Sequence, residues 1–212
     1  MLGTRVILAD DHTLMLDALT RLLEPEFEVV GTFADGRALV EEAPQLKPDV
    51  IVLDIGMPIM NGLIAGQRLK RLMPKVKLIY LTMNHDQDVA AEAFRVGASG
   101  YLLKNSPGSE LVDAIRQVAR GGSYVTSLMT EDVVGSFAHH FKKLKSINHL
   151  TIRQKEVLQL LAEGRSMKEA AFILNVSPRT VAFHKYSMME HLHIKTSAEL
   201  VQYAINRQLL AA

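Results

Sequence analysis

The chain has 212 residues, 48% hydrophobic and 22% charged, which permits one large or two small globular domains and excludes a disordered chain. It has no cysteine, so a disulfide framework and thiol chemistry are excluded, and no apolar run approaches the roughly 20 residues that span a bilayer. The net charge of +1 hides an asymmetry: residues 1–125 carry 13 Lys or Arg against 16 Asp or Glu, whereas residues 148–212 carry 8 against 5, a basic balance that suits a polyanion.

In chain order, short apolar runs predict strands near 4–10, 28–33, 50–54, 76–82 and 99–103, and helical patterns fill 13–24, 36–45, 62–72, 86–96 and 108–120. Punctuation agrees with this division. Gly97 follows the fourth helix as a left-handed stop would, Pro48 and Pro74 stand just before strands, and residues 105–108 read as a loop. Asp10 and Asp11 interrupt the first apolar run, so the N-terminus does not read as a signal peptide. Five βα units in about 120 residues predict a doubly wound, flavodoxin-like parallel sheet.

The carboxyl ends of such strands form the ligand crevice. Asp10, Asp11, Asp54, Thr82 and Lys104 all end or follow a predicted strand, so they are expected to converge there. Clustered carboxylates repel unless a cation sits among them, and oxygen ligands suit Mg²⁺. The Thr82 hydroxyl and the Lys104 ammonium suit the oxygens of a phosphoryl group. The chemistry implied is a carboxylate that accepts a phosphoryl group beside a metal. Other tenants of this sheet fit less well. A flavin phosphate would meet Asp-Asp-His in the first loop. A phosphatase with an Asp nucleophile needs a second carboxylate two residues on, where this chain has Gly56. His12 reads as a surface or packing histidine, not as a ligand.

Residues 123–147 read as a partly helical linker. Val134, Phe137, Phe141 and Leu144 form one amphipathic stripe flanked by Lys142, Lys143 and Lys145, suited to packing on one of its own domains or to a dimer seam. From residue 148, Thr151-x-x-Gln154, Ser166-x-x-Glu169 and Thr196-x-x-Glu199 are capping boxes, and Ser177-Pro178 places an N-cap before proline. Gly164 and Asn175 would end the first and second helices. Four helices result, the second and third joined by a tight turn, which is helix-turn-helix geometry. Val181, Met188, Met189 and Leu192 are expected on the core face of the third helix. Arg179, Thr180, Ala182, Phe183, His184, Lys185 and Tyr186 are the candidate DNA-contacting set. On composition alone this domain could bind protein instead. Leu200, Val201, Ala204, Ile205 and Leu209 of the last helix offer a second dimer seam.

Two resemblances sharpen the reading. Through Asp10-Asp11, Asp54-Ile-Gly-Met-Pro-Ile-Met-Asn-Gly62, Thr82 and Tyr101-Leu-Leu-Lys104, residues 1–122 resemble the receiver (CheY-like) domain of a bacterial two-component response regulator. The resemblance implies that Asp54 takes a phosphoryl group from a phosphohistidine on a sensor histidine kinase. It further implies that Asp11, Asp54 and the Gly56 carbonyl hold Mg²⁺, with Asp10 acting through water. Lys104 and Thr82 would bind phosphoryl oxygens, and Tyr101 would be the switch aromatic that turns inward as Thr82 moves. Gly56 and Asn84, beside the site, would set phosphoryl lifetime. Through Leu150-Thr-x-Arg153-x-x-Glu156-Val-Leu158, Lys168-Glu169-Ala-Ala171 and Val176-Ser-Pro-Arg-Thr-Val181-x-x-His184, residues 148–212 resemble the LuxR-type helix-turn-helix domain. The whole is similar to a NarL/FixJ-type transcriptional regulator: a cytoplasmic, non-enzymatic protein that binds double-stranded DNA as a homodimer and has no membrane partner. The chain departs from that pattern at Ala182, Glu190 and His191, where basic residues are frequent, at Phe183, where a small aliphatic is usual, and at His193, where glycine is usual. Rival readings are a constitutive DNA-binding protein, a protein-binding adaptor and an enzyme with a phosphoaspartate intermediate.

Overall fold

A computed structural model describes residues 3–83, 87–126 and 150–206, and the chain divides into two compact units, residues 1–142 and 143–212. Asn84, the 134–144 stripe and Leu209 lie outside the described residues.

In the first unit, strands β1 (Arg5–Ala9), β2 (Glu28–Phe33), β3 (Val50–Asp54), β4 (Lys77–Thr82) and β5 (Gly100–Leu103) alternate with helices α1 (Thr13–Leu23), α2 (Gly36–Leu46), α3 (Gly62–Leu72), α4 (Gln87–Arg95) and α5 (Gly108–Ala119). A sixth strand, β6 (Tyr124–Val125), follows, and the sheet order is β2-β1-β3-β4-β5-β6, parallel throughout. The expected five-stranded sheet is therefore six-stranded. Two residues of the segment read as linker pair with Gly100 and Tyr101. So short a run carries no periodicity by which to recognise it.

The strands read as continuous apolar runs because both faces are covered. One face presents Val6, Leu8, Val50, Val52, Ile79, Leu81 and Leu102 to Leu16 and Leu23 of α1 and to Leu111, Ala114, Ile115 and Val118 of α5. Alternation turns Ile7, Ile51, Leu53, Leu78, Tyr80 and Tyr101 to the other face, where all are buried. Tyr80 and Tyr101 are cross-strand neighbours. The strand order reverses between β1 and β3, and at that switch point the two strand ends part and open a crevice.

The second unit contains α6 (Ile152–Ala162), α7 (Met167–Ile173), α8 (Pro178–His191) and α9 (Ser197–Asn206). Thr151 and Ser166 form complete capping boxes with Gln154 and Glu169, and Ser177 caps α8 ahead of Pro178. At α9, Thr196 Oγ1 accepts from Glu199 N at 3.2 Å, and the Glu199 carboxylate accepts from the Thr196 backbone and from Lys195 N at 2.9 Å. Asn175 has φ 52° in the turn between α7 and α8. The buried core joins Val157, Leu158 and Leu160 of α6, Ala170 and Ala171 of α7, Val181 and Met188 of α8, and Leu200 and Ala204 of α9. Arg153 of α6 donates to Glu156 Oε2 at 2.9 Å and to Leu174 O at 2.8 Å, pinning the start of the α7–α8 turn. Among the described residues no helix is long and apolar enough to cross a membrane.

Candidate functional site

The crevice at the carboxyl edge of the sheet is built from strand ends. Asp10 and Asp11 follow β1, Asp54 ends β3, Thr82 ends β4 and Lys104 follows β5. Backbone bonds lock these ends together: Asp10 N donates to Phe33 O at 3.0 Å, and Lys104 N to Thr82 O at 2.8 Å. The loop after Asp54 is tight. A Cβ at Gly62 would lie 2.0 Å from the Asp54 carbonyl oxygen, so the chain can close behind the acid only on glycine. Asn61 starts α3 as its N-cap, its side chain accepting from Ile64 N at 3.0 Å. Ile59 in this loop has φ 65°, a conformation costly for a β-branched residue.

Lys104 Nζ lies 2.8 Å from Asp10 Oδ2 and 2.8 Å from Asp54 Oδ2, with all three side chains at most 7% exposed. Burial pushes the Asp54 carboxyl up from its ordinary value. The Lys104 hydrogen bond and charge oppose that, Asp10 adds to it, and a Gly56 backbone bond opposes it. For Lys104 burial works downward, but the hydrogen bonds and charges of Asp10 and Asp54 outweigh it and hold the ammonium above its ordinary value. Lys104 is thus paired with both carboxylates in this structure.

His12 Nδ1 lies 3.0 Å from Asp10 Oδ1 and 3.0 Å from Asp11 Oδ1. One donor atom each from Asp10, Asp11, His12 and Asp54 fall within 4.8 Å of one another. The sequence reading missed this proximity of His12; only its place beside the acid pair pointed to it. Among the described residues the buried Asp11 Oδ1 atom makes no hydrogen bond. A carboxylate-rich set with such an oxygen fits a hard divalent cation. Thr82 is buried at the same edge, 5% exposed. Tyr101 is fully buried, its ring turned inward.

In the second unit the seven candidate DNA contacts do not share one face. Arg179, Phe183 and Tyr186 are exposed, while Thr180, Ala182, His184 and Lys185 are half-buried. Thr180 is engaged with Ser177, whose Oγ lies 2.9 Å from Thr180 Oγ1. Lys185, expected on the exposed side, lines a cavity of about 230 Å³ with Leu158, Arg165, Ser197 and Leu200. Helical geometry places it only about 40° from Val181, on the flank of the core face. Its Nζ reaches back to 5.6 Å from the Tyr186 ring centroid.

A family model described as the response regulator receiver domain matches residues 6–116, and one described as bacterial regulatory proteins, luxR family, matches residues 148–204. The chain is 36% identical over 214 residues to the oxygen regulatory protein NreC of Staphylococcus carnosus, covering 97% of this chain and 99% of that one. Its structure is similar to that of the Salmonella typhimurium RcsB response regulator, with TM-score 0.64, 29% identity and coverage of 96% and 97%. It is also similar to RcsB from Salmonella enterica serovar Typhimurium bound to promoter rprA with the phosphomimetic BeF3−, with TM-score 0.62, 28% identity and coverage of 95% and 98%.

Proposed function

The chain belongs to the response regulators that join a receiver domain to a luxR-type helix-turn-helix domain and act as transcriptional regulators, not enzymes; from that premise we propose that Asp54 is its phosphoacceptor and that α8 is its DNA-recognition helix. The donor is a phosphohistidine on a sensor kinase. An Asp54 oxygen attacks phosphorus in line, the P–N bond breaks, and its electron pair stays on the imidazole, which takes a proton from solvent. The reaction needs positioning and charge neutralisation more than new covalent chemistry. Asp10, Asp11, Asp54 and the Gly56 carbonyl would hold Mg²⁺, which supplies positive charge beside the transferring group. Lys104 leaves its carboxylate partners for a phosphoryl oxygen, and Thr82 donates to another. Tyr101, already inward, is held in that position by the displaced Thr82. The phosphoryl group favours one of two existing states of the receiver.

The observation that carries this reading is the buried Asp10–Lys104–Asp54 triad at the strand-order reversal. The output is DNA binding by a homodimer in the cytoplasm, supported by the luxR-family match and by the promoter-bound RcsB relative. Residues 1–126, which include β6, act as receiver, the segment up to 147 as linker and 148–212 as output domain. The test is intact mass after incubation with a small phosphodonor and Mg²⁺. One phosphoryl adduct on the native chain, absent from Asp54→Asn, is expected. An adduct that persists in the variant refutes the acceptor.

A further inference from the structure

The outward stripe of α8 is unlike a hydrogen-bonding reader of bases. Val181 and Met188 are fully buried, which fixes the inward direction of the helix. At 100° per residue the opposite side carries Arg179, Phe183, Tyr186 and Glu190. All four are exposed, Phe183 by 68% and Tyr186 by 59%. Between the cation at the start and the acid near the end, the centre of the stripe is therefore aromatic. The Phe183 ring stands edge-on to the half-buried His184 ring, with centroids 5.6 Å apart and planes at 66°, which braces it away from the core. Lys185 Nζ sits 5.6 Å from the Tyr186 ring centroid and brings a positive charge to the flank of the same stripe.

A phenyl ring neither donates nor accepts at the N7, O6, N6, O4 or N4 positions that distinguish bases in the major groove. The one apolar group displayed there is the thymine 5-methyl. Deepening the DNA-binding reading and resting on it, we propose that Phe183 is a specificity-determining residue that selects thymine through its methyl group. Tyr186 and Arg179 flank it with polar contacts. Glu190 opposes phosphate, so the central contact adds selectivity without adding to salt dependence.

The test uses the full chain, treated with phosphodonor and Mg²⁺, and a random duplex pool from which bound sequences are selected. Native protein is expected to enrich thymine at a fixed position of each half-site. Replacing that thymine by uracil, which removes only the methyl, should weaken binding by about fourfold per half-site. Phe183→Ala should bind the thymine and uracil duplexes equally, while Phe183→Leu keeps part of the difference. Phe183 lies outside the core, so both variants should retain the native helical signal and melting temperature. Equal binding of thymine and uracil duplexes by native protein, or a difference that survives in Phe183→Ala, overturns the proposal while leaving DNA binding intact. Failure to select or bind any duplex overturns the DNA-binding reading itself, and leaves the aromatic stripe to a protein partner.

Discussion

Removing Lys104 probes the candidate site through stability, independently of any partner. Lys104→Met keeps the length of the stem and deletes the ammonium, leaving Asp10 and Asp54 buried without the cation that lies 2.8 Å from each. At an effective dielectric of about 20, each such contact is worth about 6 kcal/mol of Coulomb attraction before desolvation. Desolvation cancels much of this, but breaking a buried pair from one side costs about 3–5 kcal/mol because the remaining charge is stranded. About 3 kcal/mol, the lower end of that range, is expected near neutral pH. The assay is urea unfolding in EDTA, followed through the near-ultraviolet signal of the buried Tyr80 and Tyr101. With a slope of about 2 kcal/mol/M, the midpoint should fall by about 1.5 M. Adding Asp10→Asn should return part of the loss, because it removes one of the stranded charges. Millimolar Mg²⁺ should stabilise the variant more than the native chain. A loss below about 1 kcal/mol with no recovery from Asp10→Asn would refute the electrostatic reasoning.

Three further outcomes follow from local geometry. Ile59 and His193 hold φ values of 65° and 56°, so Ile59→Gly should stabilise the first unit by about 0.5–1 kcal/mol and His193→Gly the second by less; a melting temperature that falls in either refutes the strain. The Tyr80 hydroxyl is buried with no hydrogen-bond partner among the described residues, and a Cβ at Gly66 would lie 1.8 Å from it. Gly66→Ala should therefore cost about 1–3 kcal/mol in chemical denaturation, and Tyr80→Phe, near neutral alone, should recover part of that cost. Hydrogen bonds from Ser166 hold the Glu169 carboxyl below its ordinary value, and those from Lys195 and Thr196 do the same for Glu199. Their contribution to the second unit is present above the ordinary glutamate value of about 4.3 and is lost as pH falls through the lowered folded values. Carboxyl NMR titration should place both below about 4.3, and a value at or above it removes the cap's charge preference.

Strand ends were the most legible part of the sequence. Runs such as residues 50–54 and 76–82 are apolar on both faces, and where such a run meets a charged or hydroxyl residue the chain has reached the crevice. That logic placed Asp10, Asp54, Thr82 and Lys104 at one edge, where the structure brings them together. It could not show Lys104 bridging Asp10 and Asp54, since pairing across 50 and 94 residues depends on strand order and not on local pattern. Nor could it find β6, whose existence depends on β5 offering an open edge. Lys185, four residues after the buried Val181, lies on the flank of the core face, a position that helical spacing alone places there. Ile59 carried no sequence warning, because a β-branched residue is not expected at a positive φ such as its 65°.

The sixth strand also sets where mechanical load enters the receiver. Thr126, the last described residue before the segment leading to the second unit, is fully buried. Its N–H donates to Tyr101 O at 3.0 Å, and its hydroxyl lies 3.1 Å from Ser106 Oγ. Any tension along the chain beyond it is borne first by β5, the strand that carries Tyr101 and delivers Lys104. The chain thus leaves the receiver from a strand hydrogen-bonded to the one that delivers the site lysine, and not from the end of the preceding helix.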